Sequence, residues 1–270
     1  MCDLLRPLDS KHSRLLEIPW DSGRFAIVLD DVLSKDECNE LIARAEEAGF
    51  VAALVNVGGG LELLKKDIRD SDRSIIDDPE MMEKLWQRII ERLDGDALNA
   101  LKNVPASHWV PVGLNERMRF LRYDPGGFFS SHYDGSYTRR GDDAGGRERA
   151  GEVSFVTCQL YLSENVEGGA TRLMNEDRPS EGIDVTPKIG RVLLFEHHIF
   201  HCGATIHKGR KYCLRTDLMY APVSKVRDQA PNPTYKESPI VLRGKGGDKA
   251  GVTATRPATT PEVMPMKLGR

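Results

Sequence analysis

No two cysteines in this 270-residue chain are spaced Cys-x-x-Cys, and the five present, Cys2, Cys38, Cys158, Cys202 and Cys213, are odd in number and scattered. That excludes a dense disulfide scaffold and a zinc ribbon, and reads as reduced thiols. Nowhere do about 18 consecutive apolar residues occur, so no stretch reads as a membrane-spanning helix. The opening MCDLLRPLDSKHSRLLEIPW breaks every apolar run with a charge and lacks the pattern of a secretory leader. Positive charge is not in excess either. With 38 Lys and Arg against 41 Asp and Glu, the formal net charge of -3 offers no global field for nucleic acid. Gly58-Gly59-Gly60 is followed by no Gly-Lys-Ser/Thr, which leaves a loop and not a phosphate cradle. The expectation is a soluble cytoplasmic enzyme with neither membrane nor nucleic acid among its partners.

What the chain does contain is one domain's worth of patterned sequence. Residues 1–23 read as an irregular arm, 24–222 as the domain, and 223–270 as a Pro/Gly/Thr-rich tail. Phe25 to Leu29 has strand character. Ser34 with Glu37 three residues later is a capping-box pattern, and Cys38, Leu41, Ile42 and Ala45 then recur at helical spacing up to Gly49. A second helix begins with Asp78 as cap and Pro79 at its first position, burying Met82, Leu85, Trp86, Ile89 and Leu93. The intervening 51–76 reads as loop with one short strand at most, and 95–111 as a linker with room for a short helix. From Met118 onward short β-like runs alternate with Gly-rich loops, without the alternation of strand and helix that a parallel sheet needs. The fold class is therefore α+β and mainly β, a double-stranded β-helix (jelly roll) with flanking N-terminal helices.

Chemistry concentrates in Arg117 to Asp134, RMRFLRYDPGGFFSSHYD, an alternating strand, a Pro-Gly-Gly turn and a strand ending in His132-Tyr133-Asp134. Residues i and i+2 of a strand share a face, so this imidazole and this carboxylate reach one point. A lone His-x-Asp is a weak signal, and a third ligand must come from elsewhere. His197, His198 and His201 follow an apolar strand and supply the candidates. Two imidazoles and a carboxylate suit non-haem Fe(II) with open positions, and zinc enzymes use the same set. Further on, Lys211, Cys213 and Arg215 share one face, which puts a cation on a strand beside that of His201, where a dicarboxylate ligand would pair with it.

The segments NERMRFLRYDPGGFFSSHYDG, TCQLYLSENVEGGATRL and GRVLLFEHHIFHCGATIHKGRKYCLRTDLMY resemble the catalytic domain of the prolyl 4-hydroxylase family of Fe(II)/2-oxoglutarate-dependent dioxygenases, across about residues 24–221. The resemblance implies iron held by His132, Asp134 and His201. It implies that Lys211, ten residues after His201, binds the far carboxylate of 2-oxoglutarate, with Tyr123, Tyr161 and Thr171 as further cosubstrate contacts. The alternative for each of the two tyrosines is a barrel-core position with a satisfied hydroxyl. Arg215 is expected as a supporting charge and not the main anchor, Cys202 and Cys213 as packing residues, and the loop from Ser136 to Gly151, with Arg147 and Arg149, as a lid or a charged surface loop.

The implied activity is hydroxylation of an unactivated C–H bond with Fe(II), 2-oxoglutarate and O2, with ascorbate as a further candidate cofactor. Because Asp134 is a carboxylate, the resemblance points away from the halogenating branch. The expected substrate is a peptide or a small molecule such as a free amino acid. A non-catalytic metal-binding jelly roll is the rival from another class, and a zinc hydrolase would have only Glu196 as a nearby general base.

Overall fold

Strand β1 (Ser13–Leu16) pairs antiparallel with β2 (Ala26–Leu29) in the computed structural model, which describes residues 13–57, 61–104, 108–143 and 146–227. All four β2 side chains are buried, and β1 covers what would otherwise be its open edge. Part of the expected irregular arm is thus an edge strand. Helix α1 (Lys35–Ala48) starts on the expected capping box, Ser34 Oγ accepting from Glu37 N at 3.2 Å and Glu37 Oε2 accepting from Ser34 N at 2.7 Å. It stops at Gly49, whose φ of 86° suits glycine.

The next stretch differs from its expectation as loop. It forms β3 (Val51–Ala52), β4 (Val55–Asn56), β5 (Glu62–Leu63), β6 (Arg69–Asp70) and β7 (Asp72–Asp77). These strands carry little apolar alternation because ion pairs hold their side chains, Arg122 to Asp72 at 2.8 Å and Arg117 to Asp77 at 3.0 Å among them. The Gly58–Gly60 loop lies outside the described residues. Helix α2 (Pro79–Arg92) has Asp78 accepting from Met81 N at 3.0 Å, and its expected stripe is buried. After α3 (Gly95–Lys102) comes β8 (Trp109–Leu114), unexpected because Pro111 reads as a breaker; β8 tolerates it at the end of a ladder with no further partner.

The remaining elements are β9 (Arg117–Tyr123), β10 (Phe128–His132), α4 (Gly146–Arg149), β11 (Val153–Tyr161), β12 (Glu167–Gly168) and β13 (Thr171–Met174). They are followed by β14 (Gly182–Val185), β15 (Val192–Glu196), β16 (His201–Gly203), β17 (Ile206–Lys208), β18 (Lys211–Pro222) and α5 (Val223–Arg227). The tail from 228 onward lies outside the described residues.

Two antiparallel sheets face each other as a jelly roll. The large sheet runs β1-β2-β15-β11-β18-β9-β7-β3 with β8 also paired to β18, and the small one runs β14-β13-β16-β10-β6. Helices α1 to α3 pack on the outer face of the large sheet, where Leu41, Leu85 and Ile89 meet Val156, Leu214 and Leu218 in one core. The inner face is mixed: Val28, Leu193 and Phe195 pack against Leu173 and Val185 of the small sheet, and polar side chains of β9, β11 and β18 line a cavity beside them. One expectation is corrected here: β18, with Lys211, lies in the large sheet and His201 in the small one. The chain crosses between sheets through β17, so the two residues face each other and do not sit on neighbouring strands.

Helices α1 and α2 are tied by a buried ion pair. Arg88 donates to Glu37 at 2.9 and 3.1 Å and to the Val32 carbonyl at 3.0 Å, with 8% and 3% of the two side chains exposed. Removing one partner strands the other charge out of water. Glu37→Ala is expected to cost about 3 kcal/mol of unfolding free energy in urea titration, and a loss below about 1 kcal/mol would show that the pair is dispensable.

Candidate metal centre and its cavity

Strands β10 and β16 pair so that His132 and His201 are direct register partners. Each ring is locked by the backbone of its own strand: His132 Nδ1 lies 2.7 Å from the Ser130 carbonyl and His201 Nδ1 2.9 Å from that of Ile199. A ring that donates through Nδ1 keeps its Nε2 lone pair for a metal. Both Nε2 atoms face Asp134, at 3.7 Å from Oδ1 and 3.7 Å from Oδ2 respectively. One ligand atom from each of the three residues lies within 4.8 Å of the others, a spread that a single ion can bridge. The donor set of two neutral imidazoles and one carboxylate fits a divalent transition metal with positions left open.

Asp134 is positioned from the opposite sheet. Thr157 Oγ1 on β11 donates to Oδ2 at 2.5 Å, and Arg215 on β18 lies 2.9 Å from Oδ1. Burial alone would raise this carboxyl, but Arg215 and the two imidazoles reverse the effect and hold it well below the usual carboxylate range. Burial and the neighbouring His201 push His132 down to about 3, and burial likewise lowers His201. Both rings are therefore neutral and the carboxylate ionised near neutral pH, as metal ligation requires. Arg215 also reaches Asp217 at 3.3 Å, and Asp217 meets Arg119 at 3.2 Å. The supporting role expected of Arg215 matches this geometry.

The other two histidines lie elsewhere. His197 is fully buried with its Nε2 3.6 Å from Asp217, and His198 is exposed. Glu196, the hydrolase candidate, accepts from Phe25 N at 3.0 Å on the edge of β15 and does not line the cavity.

A cavity of about 350 Å3 joins the triad to the remaining expected residues. Lys211 is 3% exposed and donates to the Gly169 carbonyl at 2.6 Å, with its Nζ 5.3 and 5.5 Å from the ring centres of Tyr123 and Tyr161. Among the described residues no carboxylate lies within ion-pair distance of it, and burial lowers its pKa. Tyr123 and Thr171 line the cavity. Tyr161 sits behind that wall, its hydroxyl donating to Thr171 Oγ1 at 2.7 Å. Gln159 Nε2 donates to the same oxygen at 2.7 Å. Thr171 Oγ1 is thus held from two sides, by Gln159 and Tyr161, and the Tyr161 hydroxyl also lies 3.3 Å from the Val185 carbonyl.

Gln159, Thr157 and Arg119 escaped the sequence reading, although each shares a face by period two with a residue that it named, Tyr161 or Tyr123. Arg69 and Arg73 had no such signal. The loop expected as a lid is anchored through Arg139, which is buried and donates to Glu116 at 2.7 and 2.6 Å and to Glu152 at 3.1 Å. Arg149 joins the same cluster at 3.0 Å from Glu152. Cys213 is buried and Cys202 half-buried, both in the cavity wall.

Residues 118–216 match the model of the 2OG-Fe(II) oxygenase superfamily. Prolyl 4-hydroxylase 1 of Arabidopsis thaliana is 28% identical over 203 residues, which are 69% of this chain and 65% of that relative. The chain thus spans about two thirds of the length of the curated relative it matches. Among solved structures, a Pseudomonas putida prolyl-4-hydroxylase aligns at a TM-score of 0.50 and 17% identity, over 73% of this chain and 94% of the other. A Trichoplax adhaerens prolyl hydroxylase, solved with a peptide fragment of the hypoxia inducible factor oxygen degradation domain, aligns at 0.50 and 15% over 76% and 87%. At such identities the structures speak for the fold.

The depressed histidines have a measurable consequence in the metal-free protein. As pH falls below 6.5, the unfolded chain gains a proton at His132 that the folded chain resists down to about 3, so folding stability decreases across that window. His132→Asn is expected to flatten the slope of unfolding free energy against pH between these values; an unchanged slope would contradict the assigned burial effect.

Proposed function

We propose that the chain, which matches the 2OG-Fe(II) oxygenase superfamily over residues 118–216 and is similar to a prolyl 4-hydroxylase, is a dioxygenase that hydroxylates an unactivated C–H bond of a peptide or small-molecule substrate. The observation that carries this reading is a buried lysine, with no counter-ion among the described residues, in the same cavity as a His-Asp-His triad. A buried ammonium is costly until an anion joins it, and 2-oxoglutarate brings that anion on a molecule that also chelates a metal.

His132 and His201 would hold Fe(II) through Nε2 and Asp134 through its carboxylate. The bound iron, with 2-oxoglutarate and O2, supplies oxidative decarboxylation to succinate and CO2 and delivery of one oxygen atom to the substrate. The chain's own residues bind and orient. Lys211 would pair with the far carboxylate of 2-oxoglutarate, the Tyr123 and Thr171 hydroxyls would donate to it, and Tyr161 and Gln159 would fix the Thr171 hydroxyl from behind. Arg215 and Thr157 keep Asp134 ionised and aimed, so that protons do not compete with the metal near neutral pH. The unit responsible is assigned to residues 24–222, with β1 as an added edge strand.

The substrate class has less support. The relatives are prolyl hydroxylases by name, and the Trichoplax protein was solved with a peptide. A free amino acid or metabolite uses the same machinery. The test is succinate release across proline-containing peptides, free amino acids and cell extract, with mass spectrometry of any product that gains one oxygen atom. Turnover with at least one class supports the reading. Tight zinc binding with no affinity for 2-oxoglutarate would overturn it in favour of a non-catalytic metal-binding jelly roll.

Two variants probe the assigned roles. His132→Ala and His201→Ala are each expected to abolish stoichiometric Co(II) binding followed by visible absorbance. Lys211→Met, which removes one partner of a buried charge pair, is expected to weaken 2-oxoglutarate binding by on the order of 30-fold or more in calorimetry; unchanged affinity would remove Lys211 from the site.

A further inference from the structure

The cavity carries more positive charge than the metal centre and cosubstrate use. Besides Lys211 and Arg215, its wall includes Arg69, Arg73 and Arg119. Facing these five cations are the carboxylates of Glu62, Asp134 and Asp217. A dipositive metal and dianionic 2-oxoglutarate cancel each other, so two positive charges stay in excess when both are bound. A partly buried site holds such an excess at a cost that a ligand anion removes.

The three arginines come from separate strands that only the fold brings together. Arg119 lies on β9, Arg73 is the register partner of Leu121 across β7 and β9, and Arg69 is the partner of Phe129 across β6 and β10. One carboxylate already sits among them. Glu62 of β5 takes the fork of Arg73 at 3.0 Å on each oxygen. That hydrogen bond outweighs burial and lowers its pKa, and the charges of Arg73, Arg69 and Arg119 all add in the same direction. Arg69 is buried, its Nε donating to Ser71 Oγ at 3.0 Å, and among the described residues it has no carboxylate within ion-pair distance. Its guanidinium lies 4.7 Å from the centre of the Phe129 ring, which stacks on His132 at 3.8 Å. The cluster is therefore one aromatic ring away from a candidate metal ligand.

We propose that Arg69, Arg73 and Arg119 form the recognition site for a carboxylate on a small-molecule substrate, and that Glu62 occupies this site while substrate is absent. The proposal rests on the dioxygenase reading and narrows its substrate to a small carboxylic acid. The bidentate fork on Glu62 is the geometry with which arginine binds carboxylates in general. Glu62 is replaceable: its side chain is 40% exposed and belongs to a two-residue strand. A cavity of about 350 Å3 is near the lower end of small-molecule sites, roughly 300–1,000 Å3. Leu54, Val55 and Asn56 line it as well, which favours a compact free acid over a residue inside a long neutral peptide.

Two measurements decide it. In succinate-release assays on the full chain with Fe(II), small acids are expected to stimulate turnover while their primary amides do not. Arg73→Gln and Arg119→Gln are each expected to raise KM for the acid about tenfold without a matching change in 2-oxoglutarate affinity measured by calorimetry, and Glu62→Gln to lower that KM. Equal stimulation by acids and amides, or unaltered KM in both arginine variants, overturns the proposal. Independently of turnover, crystals of the Glu62→Gln protein soaked with 4-bromobenzoate are expected to show its carboxylate between the three guanidinium groups, located by the anomalous signal of bromine. Absence of the probe there also overturns the proposal. Loss of 2-oxoglutarate binding in the unaltered chain would instead sink the dioxygenase reading, so the two failures are distinguishable.

Discussion

The ion pair between Arg215 and Asp134 joins the two halves of the molecule. Asp134 follows a strand of the small sheet and Arg215 sits in the middle of β18 in the large one. A carboxylate so deeply buried stays ionised because a guanidinium and two imidazoles meet it, the guanidinium having the largest lowering effect, and the arginine in turn is compensated by Asp134 and Asp217. The imidazoles close on the same carboxylate from β10 and β16. The spacing of the sheets, the charge state of the candidate ligands and the position of the cavity all follow from this contact.

From that centre the cavity divides by charge. Toward the end of β18, Lys211 sits between two aromatic rings and a backbone carbonyl, an environment that solvates an ammonium incompletely and suits one ligand carboxylate. On the side of β6 and β7, Arg73 forks Glu62, and the charges of Arg69 and Arg119 act on the same carboxylate, an environment suited to a second. One site offers a point charge held by burial, the other planar forks held by strand register. On the proposed reading, the same jelly roll treats a cosubstrate and a substrate as two different anions.

Parts of this were legible along the chain. The capping residues Ser34, Glu37 and Asp78 act through groups three residues away, so local sequence suffices to place α1 and α2. The face of β9 follows from period two, as does the pairing of His132 with Asp134 around one point. The strands from β3 to β7 were illegible because their side chains are satisfied by charges from distant segments, Arg122 on Asp72 and Arg117 on Asp77 for instance, and no apolar alternation marks them. Strand β8 was hidden by Pro111, which its terminal position in the ladder permits.

By itself the sequence determined the helices, the order of the main strands, and the set of residue types able to hold a metal and an anion, because these depend on neighbours within a few positions and on motif spacing. The tertiary structure decided which sheet Lys211 occupies, that Tyr161 stands behind Thr171 and not in the wall, and that Arg69, Arg73 and Arg119 line one cavity. Those relations are set by register between strands far apart in the chain, and a register is a property of the pairing, not of either strand alone.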